Sequence, residues 1–261
     1  MNLKIRLQQL QKLIPHSWLE QMQYLHSSLI FRWILRNRSK ALVFSRKSAM
    51  VFSPHQDDET FGCGGMIALK RESDIPVIVT FLTDGQGSGN SEQHFQNQII
   101  QIRKQEAVNA LDILGVKPTE IHFLEKPDGT LPDLENEEKQ QTIKQISELL
   151  KHYQPEEVYV PHRKDCHRDH EAAYELVRDA IAQANMTVEL LEYPIWLFWR
   201  APLFILLKWQ DIAAASYLSI ASVQDKKTRA ISSYCSQIQS LPRGFIQRFL
   251  GSHEIFFKSD Y

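Results

Sequence analysis

From about residue 41 onward, short β-rich runs alternate with longer stretches of helical periodicity, and few folds accept that alternation. Ala49-Met50-Val51-Phe52, Val77 to Leu82, Ile121-His122-Phe123-Leu124, Val158-Tyr159-Val160 and Val188 to Tyr193 are strand candidates. Between them the spacing predicts helices near 63–72, 92–114, 134–152 and 168–184, with Gly115 placed where a helix C-cap favours glycine. Strands joined by crossover helices imply an α/β fold: a Rossmann-like, mostly parallel sheet with helices on both faces. In such sheets the functional loops lie past the C-terminal ends of the strands.

The first 45 residues read differently, as a basic amphipathic helical extension ahead of a domain spanning 46–261. Leu3, Leu7, Leu10 and Ile14 share one helical face, and Trp18, Met22, Leu25, Leu29 and Trp33 another, with Pro15 between the two helices. Residues 1–50 hold nine Lys or Arg and a single acid, Glu20, a balance of +8 in a chain of net charge −1. Such a basic front end fits an anionic partner, and a membrane surface is the candidate; nucleic acid is not expected. No apolar stretch is long enough to span a bilayer, and no secretory signal is expected at the N-terminus. Three scattered cysteines, Cys63, Cys166 and Cys235, make a poor disulfide framework. Together these features predict a cytoplasmic protein, peripheral at the membrane. Ile195 to Trp209, with three tryptophans beside Arg200 and Lys208, has the composition of an interfacial segment, and equally of a core element, a dimer contact or a pocket lid.

The strand ends carry the chemistry. One strand ends in Ser53-Pro54-His55-Gln56-Asp57-Asp58-Glu59, another in Pro161-His162, followed by Asp165-Cys166-His167-Arg168-Asp169-His170. Both loops fall on the same edge of a parallel sheet. Imidazoles and carboxylates converging there point to a divalent metal, and a mixed His/Asp set suits zinc, whereas all-oxygen sites favour magnesium or calcium.

Pro54-His55-x-Asp57-Asp58-Glu59, followed by Gly62-Cys63-Gly64-Gly65, closely resembles the first motif of the LmbE/PIG-L family of zinc-dependent de-N-acetylases. His167-x-Asp169-His170 resembles its second motif. Thr83-Asp84-Gly85, Arg103-x-x-Glu106 and Lys227-x-x-Ala230-x-x-Tyr234-x-Ser236-Gln237 are weaker matches in the same order. The resemblance implies one zinc ion held by His55, Asp58 and His170, with Asp57 as general base toward the attacking water. It implies that His167, if protonated, stabilises the oxyanion and protonates the leaving amine, while Asp169 holds His167 in that charged state. Arg103 is a candidate substrate contact, although a surface arginine is the plainer reading, and Glu59 reads as ordinary first-turn electrostatics. His162 has no role, and Cys63 reads as a small packed residue in a Gly-rich turn. The implied substrate is an N-acetylglucosamine-type sugar. Hydrolysis of another amide or ester, and a membrane-associated sugar-binding protein without catalysis, are the alternatives.

Two other patterns fail on inspection. His167-Arg168-Asp169 has the form of a kinase catalytic loop, but Tyr174 stands where that loop needs its Asn. Gly85-x-Gly87-x-Gly89 would need a further glycine at Asn90 to complete a dinucleotide fingerprint.

Overall fold

The computed structural model describes residues 15–36, 40–87, 93–202 and 205–259; the helix expected over 3–14 lies outside them. The chain runs α1 (His16–Arg36), β1 (Lys40–Ala41), β2 (Ala49–Ser53), α2 (Asp58–Glu72), β3 (Val77–Thr83), α3 (Gln93–Leu114) and β4 (Ile121–Lys126). It continues through α4 (Asn136–Tyr153), β5 (Glu157–Pro161), α5 (Arg168–Ala184), β6 (Glu189–Tyr193), α6 (Leu197–Arg200) and α7 (Trp209–Ala213). Last come β7 (Ala215–Ser219), α8 (Gln224–Ser232), α9 (Cys235–Ile238), α10 (Arg243–Phe249) and β8 (His253–Lys258).

The strands form one eight-stranded sheet in the order β1-β7-β8-β6-β5-β2-β3-β4. Every pairing is parallel except those of β8, which runs antiparallel to β6 and β7. Side chains alternate across it, as the period of two in a strand requires. Ala49 and Val51 enter a core shared with residues of α2, α3, α8 and α10, while Met50 and Phe52 enter a second core with α4 and α5. The expected layers are therefore present. The sequence reading missed β7 and β8, which extend the sheet on the far side of β6.

The N-terminal extension is joined to this body. Ile30 and Ile34 of α1 are buried in a third cluster with Leu197, Phe198, Leu207, Ala215 and Ile255, and β1 pairs with β7. The helix expected from residue 63 already begins at Asp58, so Gly62 to Gly65 lie inside α2 and form no turn. Their function is close approach. A Cβ at Gly62 would stand 2.3 Å from the Tyr193 ring, and one at Gly65 would stand 2.5 Å from Ile220.

Candidate metal centre and catalytic pocket

Topology explains why two distant motifs meet. The chain leaves β2 for β3 and β4 on one side, then returns to β5 and β6 on the other, so the crevice between β2 and β5 is the switch point of the sheet. The loop after β2 delivers His55, Asp57 and Asp58 to that crevice, and the loop after β5 delivers His167, Asp169 and His170. Asp58 and His170 each stand in the first turn of a helix, α2 and α5.

Three atoms meet there. Asp58 Oδ2 is 3.0 Å from His55 Nδ1 and 3.1 Å from His170 Nε2, and the two ring nitrogens are 3.4 Å apart. Donors held at 2.0–2.1 Å on a tetrahedral ion stand about 3.3 Å from one another, so the triangle fits a zinc-class ion without rearrangement. Two other groups of three, His55/His167/His170 and His55/Asp128/Asp169, also bring potential ligand atoms within 4.8 Å of one another.

Each imidazole has a carboxylate behind it. His170 Nδ1 is 2.7 Å from Asp165 Oδ2, and Asp165 is fully buried. His55 Nε2 is 3.1 Å from both Asp169 Oδ2 and Asp128 Oδ1. These pairings fix the ring orientation and leave His55 Nδ1 and His170 Nε2 facing Asp58, as second carboxylates behind metal-ligating histidines do. Burial alone opposes a proton on His170, but Asp58 and Asp165 outweigh it and lift the pKa to about 9. Burial likewise opposes a proton on His55, and hydrogen bonds with Asp128, Asp169 and Asp58 raise it well above the usual range. Asp58 is buried too, yet the His170 and His55 charges hold it ionised.

Asp169 departs from expectation. Its carboxylate accepts the amides of Gly129 and Leu131 at 2.8 and 3.1 Å and engages His55, not His167. Among the described residues, His167 accordingly has no hydrogen-bonded carboxylate to hold a proton. Burial first, then the charges of His170 and His55, lower its pKa to about 3, so the ring is neutral near pH 7.

An open pocket of about 580 Å³ has His55, Asp57, Asp58, Arg103, Asp128 and His167 in its walls. Asp57 has φ 149° and ψ −31°, a backbone conformation that L-residues rarely adopt. Its amide donates to Glu59 at 3.1 Å. Burial and the Asp58 charge push the Asp57 carboxyl upward, against the pull of Arg103 and His55. Arg103 is no surface arginine. It is buried, donates to the Gly85 carbonyl at 2.9 Å, and lies 4.0 Å from Asp57 and 3.8 Å from Asp128.

Asp128 was not foreseen. It follows β4 in Pro127-Asp128-Gly129, and the strand-end rule would have reached it. Burial opposes its ionisation, but the hydrogen bond and charge of His55 hold its pKa at about 2.

The weaker motifs prove to be braces. Glu59 is fully buried and accepts the Tyr234 hydroxyl, and Glu106 accepts the Ser236 amide and hydroxyl at 2.8 and 2.6 Å. Burial raises the Glu59 pKa to about 7. Lys227 donates to Glu254 at 2.6 Å and to the Phe61 carbonyl at 2.7 Å, and Glu254 accepts the Gly65 amide at 2.6 Å. A regular helix pairs that carbonyl with that amide, so the ion pair grips α2 in its ladder. His162 is buried beside Glu192, away from the triangle, and burial lowers its pKa to about 3. Cys63 is buried in the core, and Cys166 donates to the Lys164 carbonyl at 3.6 Å.

The apolar segment near residue 200 is mostly interior. Ile195, Leu197, Phe198, Trp199 and Leu207 are buried, while Trp196, Trp199 and Arg200 form a wall of the pocket. Part of α1 stays outside: Trp18, Met22, Leu25 and Leu29 are 57–68% exposed in one stripe. No helix among the described residues is long and apolar enough to cross a membrane.

The probable N-acetyl-alpha-D-glucosaminyl L-malate deacetylase 2 of Bacillus subtilis is 31% identical over 139 residues, which cover 52% of this chain and 61% of that protein. The chain thus spans less than two thirds of that relative's length. A conserved protein of Thermus thermophilus superposes with a TM-score of 0.62 at 24% identity, over 82% of this chain and 95% of its own. The N,N'-diacetylchitobiose deacetylase of Pyrococcus horikoshii does so with a TM-score of 0.64 at 19% identity, over 89% and 92%. At those identities the superpositions speak for the fold alone. Residues 50–181, half of the sequence, match the family described as PIG-L, GlcNAc-PI de-N-acetylase, and both metal-motif loops fall inside that match: the chain belongs to the PIG-L family.

Proposed function

We propose that this protein is a metal-dependent hydrolase that removes the acetyl group from an N-acetylglucosamine-type sugar. His55, Asp58 and His170 hold one divalent ion, zinc by the chemistry of the donor set. The observation that carries this reading is the 3.0–3.4 Å triangle of His55 Nδ1, Asp58 Oδ2 and His170 Nε2, two of whose residues, His55 and Asp58, line an open pocket. The names of the relatives, deacetylases of glucosaminyl malate and diacetylchitobiose, agree with the sugar.

When bound, the ion supplies Lewis acidity, polarising the acetyl carbonyl and acidifying water. Asp57 takes the proton of the attacking water as general base. The water oxygen bonds to the acetyl carbon, and the carbonyl oxygen becomes an oxyanion. Neutral His167 offers it an N–H donor, which needs no carboxylate behind the ring. The C–N bond then breaks, Asp57 returns its proton to the nitrogen, and acetate and a free amine leave. Asp169 acts by positioning His55. Arg103 restrains Asp57 and contacts the substrate from the pocket wall. The strained backbone at Asp57 argues for catalysis over binding alone. The protein works at an anionic membrane surface from the cytoplasmic side, docked through the exposed stripe of α1.

Acetate release from a panel of N-acetylglucosaminides and unrelated acetamides and acetyl esters, with and without chelator, tests the reading. Chelator-sensitive release from the glucosaminides is expected. Release that survives complete metal removal, or is confined to the unrelated compounds, overturns it.

A further inference from the structure

The pocket is larger than one acetylated sugar needs, and its walls hold two cations, Arg103 and Arg200. The charge of Arg103 is already balanced by Asp57 and Asp128, at 4.0 and 3.8 Å. Arg200 differs: no carboxylate among the described residues lies within ion-pair distance of it. Its guanidinium lies 3.7 Å from the centre of the Trp196 ring. Trp196 in turn stacks on Phe245, with centroids 4.3 Å apart and planes 20° apart. The stack is anchored from below, because Asp165 accepts the amides of Ile195, Trp196 and Leu197, each at 2.9 Å.

Stacking occupies the flat face of a guanidinium and leaves its in-plane N–H groups free. Those groups form a rigid fork that matches the two oxygens of a carboxylate or phosphate. We infer that Arg200, held on the Trp196–Phe245 stack, is the specificity residue for an anionic group, carboxylate or phosphodiester, on the part of the substrate joined to the N-acetyl sugar. This rests on the hydrolase reading for its sugar and goes beyond it in naming the residue of this chain that reads the aglycone. Binding energy gathered at Arg200, away from the scissile amide, orients the acetyl group over the reacting atoms.

The test uses the full-length protein and ligands that cannot turn over: carboxymethyl glucosaminide, its carboxamide, and the glucosaminide of methyl phosphate. Affinities are measured by calorimetry. Wild type should bind the carboxylate about 10- to 100-fold more tightly than the carboxamide. Arg200→Gln should remove that ratio while both ligands still bind, and Arg200→Lys should restore only part of it, because the charge returns without the planar fork. The phosphodiester arm tells which anion fits better. An equal affinity for carboxylate and carboxamide in wild type, with no gain for the phosphodiester, overturns the inference, as does a ratio that survives Arg200→Gln. Acetate release from the N-acetylated counterparts is followed in parallel. If no acetate appears but the Arg200-dependent ratio holds, the hydrolase reading falls and the anion site stands.

Discussion

Asp165 holds His170 by a 2.7 Å contact to Nδ1, and the same carboxylate gathers the amides of Ile195, Trp196 and Leu197. One buried side chain therefore aims a candidate metal ligand and fixes the pocket wall. Asp165→Asn keeps the size but loses the charge, and its amide group opposes backbone N–H donors. Loss of such a partner typically weakens metal binding about 10- to 100-fold. Chelator competition should show that drop, with altered Trp196 fluorescence as the wall loosens. Unchanged metal affinity would mean that Asp165 is a structural tether only.

Metal loading should depend steeply on pH. Without an ion, His170 titrates at about 9 and His55 well above the ordinary imidazole range. Both nitrogens must shed protons to bind metal, so affinity falls as pH drops, about tenfold per unit for each proton displaced. The stability of the metal-free protein moves the other way. Because the folded pKa of His170 is raised, its contribution is fully present below about 6.5, the unfolded value, and is lost as pH rises through about 9. Calorimetry in buffers of different ionisation enthalpy should detect proton release at pH 7 on adding zinc. No proton release would contradict the ligand set.

Asp57→Asn should separate chemistry from metal binding. Asp57 lies beside Asp58 in sequence but outside the triangle, so metal content should stay near wild type. The rate should fall by roughly 100- to 10,000-fold, the usual worth of a general base. Near-normal turnover with full metal would reassign the base, with Asp128 next in line.

The Lys227–Glu254 pair should matter for stability. Both side chains are 2% exposed. Lys227→Met strands the Glu254 carboxylate in the core and should cost about 3–5 kcal/mol. Pairing it with Glu254→Gln should recover part of that loss. Urea unfolding of the single and double variants gives the comparison, and a loss below about 1 kcal/mol would mean that the buried charge is otherwise compensated.

The centre of this fold was legible because its signals are local. Val77 to Thr83 is a strand by composition alone, and the two metal motifs sit at strand ends where topology must place functional loops. What was missed depends on contacts far apart in sequence. β7 and β8 carry mixed residues such as Ser216, Tyr217 and Glu254, and their pairing is set by tertiary neighbours. Glu59 looked like a first-turn acid and is a buried acceptor for Tyr234, 175 residues away. Asp169 looked like the partner of His167, two positions off, and faces His55 because α5 turns it that way. Ile195 to Trp209 showed an interfacial composition, but Leu197, Phe198 and Leu207 are core.

Among the described residues, the proposed membrane docking rests on α1. Helical periodicity places Trp18, Met22, Leu25 and Leu29 in one exposed row, and Arg32 and Arg36 continue it. The opposite side, with Ser27, Ile30 and Ile34, is buried against the body, so the row is not needed for folding. Leu19, Glu20 and Gln23 of the same helix line the pocket, so a docked α1 would set the pocket beside the bilayer surface. Each arginine near an anionic surface contributes about 1 kcal/mol, and the inserted side chains add to that. Deleting the whole helix would also strip Ile30 and Ile34 from the core, so the informative variant is Leu25→Asp combined with Leu29→Asp. Wild type should co-sediment with vesicles containing phosphatidylserine, less so as salt screens the arginines, and not with neutral vesicles. The double variant should stay in the supernatant with its fold intact by circular dichroism. If wild type itself stays in the supernatant with anionic vesicles at low salt, the docking proposal fails, and the substrate is then a freely diffusing glycoside.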